Sequence, residues 1–262
     1  MGHPNFCRGA LPPRQDSVLP QMRAAFSGMM TRPLGSTNWR AKLGPMGMLG
    51  NDRYGNCAWA GLLHLWQGWT ANNGAVLIPD TACALADYGR ATGFSAGPPV
   101  VNDNGTVLAS ALAYAMQTGL AIQSDAALRM LGAAASIQPD DLTGIMRACD
   151  LFGCCYTGMA LPGNAEDDFA AGREWRDMTG QPEDGHCPPI LDYDLATRTF
   201  YCLTWGRVQT MSFDYWLKYG TEAHAILSRD WLGPTRIAPS GLSMATMDGM
   251  IRDLGGAVGA YS

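Results

Sequence analysis

"GNDRYGNCAWAGLLHLW", residues 50–66, decides how the rest of the chain is read. Its first half is loop chemistry: Gly50 and Gly55 enclose Asn51 and Asp52. From Cys57 onward it turns apolar, with Trp59, Leu62, Leu63 and Trp66 at helical spacing. Cys57 therefore falls in the first turn of an expected helix over 57–70. At that place unpaired N–H groups and the positive end of the helix dipole stabilise a thiolate. The Cys57 N–H can also hold a negative oxygen beside the sulfur. Gly55 leaves room for a substrate, and the Asn51 side-chain amide is a candidate second donor. A buried structural cysteine is the plain alternative.

A thiol nucleophile needs a base, and the chain has four histidines. His3 lies in the proline-bearing N-terminal stretch. His64 shares the helix of Cys57 but sits about 10 Å further along its axis, as a polar edge of the core. His224 alternates with apolar residues in "EAHAILS" and reads as structural. His186, in "DGHCPPILDYD", follows a loop glycine and is expected to begin a strand facing the helix N-terminus.

Working outward, the periodicity predicts further helices over 80–93, 104–120 and 138–153. Pro139, Asp140 and Asp141 suit the start of the last one. Beyond residue 153 the pattern becomes strand-like. A strand is expected in 154–162, then an acidic loop, "GNAEDDFAAG". Two strands joined by a turn near Ala196-Thr197 follow, then a short helix and a last strand within 211–232. Helices first and strands second predict an α+β fold. Residues 1–45, with Pro4, Pro12, Pro13, Pro20, Pro33 and one short helix near 19–30, read as an extended arm. Residues 46–232 read as the domain, and 233–262 as a tail with a short helix. Arm and tail are expected to dock on protein partners or on other copies of the chain; an arm wrapped over its own domain is the alternative.

Composition limits the function. The 262 residues are 47% hydrophobic and 16% charged, which supports a large core and excludes wholesale disorder. A net charge of −5 without any basic run excludes phosphate-backbone binding, so no nucleic-acid partner is expected. No apolar run is long enough to span a membrane. The eight cysteines read as free thiols, mostly buried. Only Cys154 and Cys155 are close in sequence, a poor spacing for zinc, so neither metal nor cofactor is expected.

"GNDRYGNCAWAG" resembles the active-site segment of papain-like cysteine peptidases, with Asn51 at the oxyanion Gln position six residues before the cysteine. "GHCPPILDYD" resembles the Gly-His strand of that family, and "YCLTWG" the following strand, which there ends Asn-Ser-Trp-Gly. "LFG…YTG…LP" (151–162) and "EAHAILSRDW" (222–231) resemble segments of divergent papain-like proteins from bacteriophages and prophages. The resemblance implies a papain-like α+β fold, with a Cys-bearing central helix packed on a C-terminal antiparallel sheet. It also implies chemistry: Cys57 attacks an amide carbonyl, His186 exchanges protons, and Asn51 helps hold the oxyanion. The sequence departs from the family pattern in four places, the first being Asn51, whose reach is shorter than that of the Gln it replaces. The family's orienting Asn aligns with Leu203, so Thr204 or Gln209 must serve if any group does; Ala58 replaces the usual Trp; and Pro188-Pro189 follow the histidine. Two functional expectations follow. One is a phage-type thiol hydrolase cutting peptidoglycan peptide bonds or a viral precursor. The other is a virion structural protein that keeps the scaffold with little or no chemistry. Either would be made in a host cytoplasm, with the virion as a further location.

Overall fold

A computed structural model describes residues 6–14, 19–29, 32–124 and 127–256. His3, Pro4 and the last residues of the expected tail lie outside them. In chain order the elements are β1 (Ala10–Leu11), α1 (Met22–Ala25), α2 (Cys57–Asn73), α3 (Thr81–Thr92), β2 (Thr106–Val107) and α4 (Leu108–Gln117). Then come β3 (Ala133–Ile137), α5 (Leu142–Phe152), β4 (Tyr156–Pro162), α6 (Ala165–Ala170), β5 (Pro182–His186) and β6 (Ile190–Asp194). The chain closes with β7 (Thr199–Thr204), β8 (Arg207–Ser212), α7 (Phe213–Tyr219), β9 (Gly220–Leu227) and α8 (Met244–Asp253).

The expected α+β division holds, built on two antiparallel sheets rather than one. The first runs β3-β9-β4-β5 and the second β6-β7-β8. Pro188 and Pro189 fall between β5 and β6, where the chain leaves one sheet for the other. A proline supplies no ladder N–H, so a sheet change is a place that tolerates two in succession. Consequently His186 ends β5 rather than beginning a strand. The acidic stretch at 163–172 is also not a loop: Glu166, Asp167 and Asp168 occupy the first turn of α6, where carboxylates suit the helix dipole.

Helix α2 is the centre of the molecule. Every residue from Cys57 to Asn72 is buried, so the expected apolar face is the whole circumference. The indole N–H groups of this all-round burial each find an acceptor. Trp59 donates to Thr106 Oγ1, Trp66 to Asp230 Oδ2 and Trp69 to the Phe152 carbonyl. On the side facing the strands the helix is small. A Cβ at Gly61 would lie 3.0 Å from Pro189 and one at Gly68 3.2 Å from Leu191. Those two glycines let α2 settle against the crossover between sheets, and that crossover carries His186 toward the start of the helix.

Candidate active site

The thiol-bearing and imidazole-bearing residues share one small void of about 10 Å³, lined by Asn51, Cys57, His64, His186, Leu203 and Thr204 among others. Cys57 is the first residue of α2, as its place after the Gly50–Gly55 loop predicts. The loop is held from within by Asn56 Nδ2 donating to the Leu49 carbonyl, and by Asn51 Nδ2 donating to the Tyr54 carbonyl at 3.0 Å. Asn51 thus lines the void with one amide N–H already engaged.

His186 is fixed on two sides. Its Nε2 lies 2.6 Å from Thr204 Oγ1, on the adjoining sheet. Its ring stacks on Trp205 at 4.4 Å between centroids and 22° between planes. Its Nδ1 is buried with no hydrogen-bond partner. With the proton on Nε2 donated to the threonine, Nδ1 keeps its lone pair, which is the state a base requires. Trp205 and Gly206 form the two-residue turn between β7 and β8, with φ +44° and +75°. Positive φ at both residues is what the tight hairpin demands, and a tryptophan accepts it only at a cost in strain. The turn holds the indole over His186, and Phe6 and Phe169 pack against the same indole.

The thiol is closed off by the chain's own N-terminal arm. Cys7 N donates to the Asn51 carbonyl, Gly9 N to the Gly185 carbonyl at 3.0 Å, and Thr106 N to the Gly9 carbonyl at 2.7 Å. Ala10 and Leu11 continue as β1, parallel to β2. The arm passes between backbone walls too close for any side chain. A Cβ at Gly9 would lie 2.0 Å from the Gly55 oxygen, one at Gly105 2.2 Å from the Gly9 oxygen, and one at Gly185 1.9 Å from the Ala10 oxygen.

This cover reverses the expected acidity of the thiol. Burial pushes the Cys57 thiol up to about 12, although the backbone N–H groups of Cys187, Gly9, Ala58 and Ala10 act in the opposite sense. Burial likewise draws His186 down to about 3, helped by the positive charge of Arg8 from the arm. The covered site holds a neutral thiol and a neutral imidazole that line one void without a hydrogen bond between the sulfur and Nδ1. The helix N-terminus still favours the thiolate, but desolvation outweighs it here.

The other sequence candidates have partners of their own, even where, as with His64, they line the same void. His64 is buried, its Nε2 2.9 Å from the Gly47 carbonyl, and burial lowers it to about 4. His224 pairs with Glu222 within β9. Gln209 gives its amide to the Arg173 and Thr210 carbonyls, so Thr204, and not Gln209, meets the imidazole. Leu203 lines the void one residue away. Sequence reading missed the second wall of the cleft altogether. Asp103 Oδ1 accepts from Gly55 N and Tyr88 Oη, and Tyr88 Oη in turn accepts from Gly105 N. This network pins the loop ahead of Cys57 to the loop ahead of β2. "VNDNGTV" (101–107) offered Asn, Asp and Gly in a row, a turn signal without any sign of what it faces.

A helix bearing a cysteine at its first residue, packed against antiparallel strands that bring in a histidine, is the papain-like architecture. Solved structures share it. Xylellain, a cysteine protease from Xylella fastidiosa, superposes with a TM-score of 0.61 at 10% identity, over 87% of this chain and 98% of that one. The proCathepsin B S9 from Trypanosoma congolense gives 0.62 at 12% identity, over 85% and 87%. Digestive procathepsin L 3 of Tenebrio molitor larval midgut gives 0.59 at 14% identity, over 85% and 76%. No family model and no curated protein matches the sequence. The chain has the papain-like fold.

Proposed function

We propose that the chain is a thiol peptidase, in a form whose N-terminal arm lies across its own cleft. One observation carries the reading: the imidazole that shares a void with Cys57 has a free, buried Nδ1 on one side and Thr204 on the other. With the arm displaced, His186 Nδ1 takes the Cys57 proton and the sulfur attacks the carbonyl carbon of an amide. The carbonyl oxygen, now negative, is met by the Cys57 N–H at the helix N-terminus and by the Asn51 amide. His186 returns the proton to the departing amine, and water then releases the acyl group from the sulfur. Thr204 and Trp205 keep the ring in place through both steps. The likeness of 151–162 and 222–231 to phage-encoded proteins supports a viral setting, with a precursor polypeptide among the substrates.

A second reading, a scaffold without chemistry, takes the burial of Cys57 beneath the arm as permanent. A peptidyl vinyl sulfone, which alkylates only an activated thiolate, separates the two. The peptidase reading expects an adduct on Cys57 once the arm is destabilised, and none in His186→Ala. Absence of that adduct in a folded chain with the arm released would leave the scaffold reading.

A further inference from the structure

Arg8 of the arm does more than cover the cleft. Its side chain is 9% exposed, although an arginine is ordinarily a surface residue. Nε lies 3.0 Å from Glu166 Oε1, one terminal nitrogen donates to the Leu161 carbonyl at 2.9 Å, and the other to the Pro162 carbonyl at 3.0 Å. Glu183 Oε2 stands 3.8 Å away. The end of β4, the first turn of α6 and the edge strand β5 thus build a socket shaped to a planar, multi-donor cation. It opens on a cavity of about 590 Å³ whose walls also carry Asp103 and Asp184. Arg8 is the one basic side chain on those walls among the described residues.

We propose that this socket is a substrate subsite, and that it takes an arginine of an incoming polypeptide after the arm has left. The inference rests on the peptidase reading for the identity of the visitor as substrate. When Arg8 departs, the carbonyls of Leu161 and Pro162 and the Glu166 carboxylate lose their donors at a partly dehydrated place. Refilling it with a guanidinium regains charge-assisted hydrogen bonds that water satisfies less well. An ammonium meets those acceptors at one point only, so lysine fits less well than arginine. A neutral ureido group of the same shape lacks the charge and also puts an acceptor oxygen where one terminal nitrogen must donate to a carbonyl. The socket lies next to the arm residues that cover Cys57, so the recognised arginine sits close to the scissile amide.

The test uses the full-length chain carrying Arg8→Ala, which vacates the socket, together with Gly9→Ala, whose Cβ would lie 2.0 Å from the Gly55 oxygen and so unseats the arm, and calorimetric titration with N-acetyl-arginine amide, N-acetyl-lysine amide and N-acetyl-citrulline amide. Saturable binding in the order arginine, lysine, citrulline is expected, with arginine ahead of citrulline by about tenfold or more, and adding Glu166→Gln should cost a similar factor. Equal binding of arginine and citrulline, indifference to Glu166→Gln, or no binding to a folded variant would overturn the proposal. Should Arg8→Ala fail to fold, Arg8→Gln keeps a polar side chain without the charge and is titrated in the same way. Cleavage assays on peptides differing only in arginine, lysine or leucine separate the two readings. Cleavage without arginine preference sinks the subsite and leaves the peptidase. Arginine binding in an open chain that cleaves nothing sinks the peptidase and leaves a guanidinium-binding socket.

Discussion

Thr204 Oγ1 lies 2.6 Å from His186 Nε2, across the gap between two sheets. A threonine hydroxyl can accept from the imidazole as an amide oxygen would, but with a shorter reach, so the two strands must come closer. Thr204→Val keeps the shape and removes the acceptor. The expected result, in the arm-released protein, is a fall in kcat/KM of about ten- to a hundredfold, with Thr204→Ser retaining most activity. The same change leaves a buried ring nitrogen without a partner, so urea melts should show a loss of about 1–3 kcal/mol. Unchanged kinetics in Thr204→Val would show that the ring is held by Trp205 alone.

Much of this was legible in the sequence, for physical reasons that differ by residue. Cys57 announces itself because a glycine-bearing loop meets an apolar helical run there. The helix expected from 138 was also legible, but its start was read too early: it begins at Leu142, with Asp141 capping it by accepting from Gly144 N. Strand β3, "AAASI", was not legible. Alanine carries no β signal, and this strand exists because β9 offers it a fully paired ladder from Ala133–Leu227 to Ile137–Ala223. The acidic stretch of α6 failed for a related reason: its two core anchors, Ala165 and Phe169, are too few to show a period. The closed state of the thiol was invisible because it depends on residues 7–10 meeting residues 51, 106 and 185. Nothing in local spacing encodes a contact over such separations.

The glycine passage gives a way to open the cleft without truncation. Gly185→Ala places a Cβ 1.9 Å from the Ala10 oxygen, and Gly9→Ala places one 2.0 Å from the Gly55 oxygen. Neither glycine has positive φ, so alanine is acceptable to the backbone once the arm has moved. Both variants should raise the rate of Cys57 alkylation by about tenfold or more, equivalent to about 1.4 kcal/mol or more of lost arm binding. Circular dichroism should stay native. Slow labelling in both folded variants would mean that the arm does not control access.

In the unaltered chain at neutral pH, a small alkylating reagent should modify Cys7 first. Cys7 is partly exposed, whereas Cys57, Cys83, Cys149, Cys154, Cys155, Cys187 and Cys202 are buried. Burial and the nearby carboxylates of Asp103, Asp52 and Glu166 raise the Cys7 thiol, so the reaction should be slow but selective. Peptide mapping after limited iodoacetamide treatment checks this. Modification of Cys57 at the rate of Cys7 would be incompatible with an arm that stays in place.

Acid should open the cleft, and the sign follows from the two shifted groups. In the closed form His186 binds its proton only near pH 3, against an ordinary 6.5. An open form in which the ring regains solvent therefore binds more protons than the closed one between those values. Lowering the pH from 6.5 toward 3 accordingly favours opening. Cys57 works from the other end. Its closed-form value of about 12 lies above the ordinary 9, so between 9 and 12 the open form releases a proton that the closed form keeps. Raising the pH above 9 also favours opening, which leaves the arm most firmly seated between about 6.5 and 9. His64, lowered to about 4 by burial away from the arm, makes global stability fall with acid as well. The readout must therefore be arm release, followed as proteolytic susceptibility near Arg8, rather than a melting temperature. His186→Ala should abolish the acid limb and spare the alkaline one, and Cys57→Ala should spare the acid limb and weaken the alkaline one, to which Cys7, also raised in the closed form, contributes. An acid limb that persists in His186→Ala would assign the opening to another group.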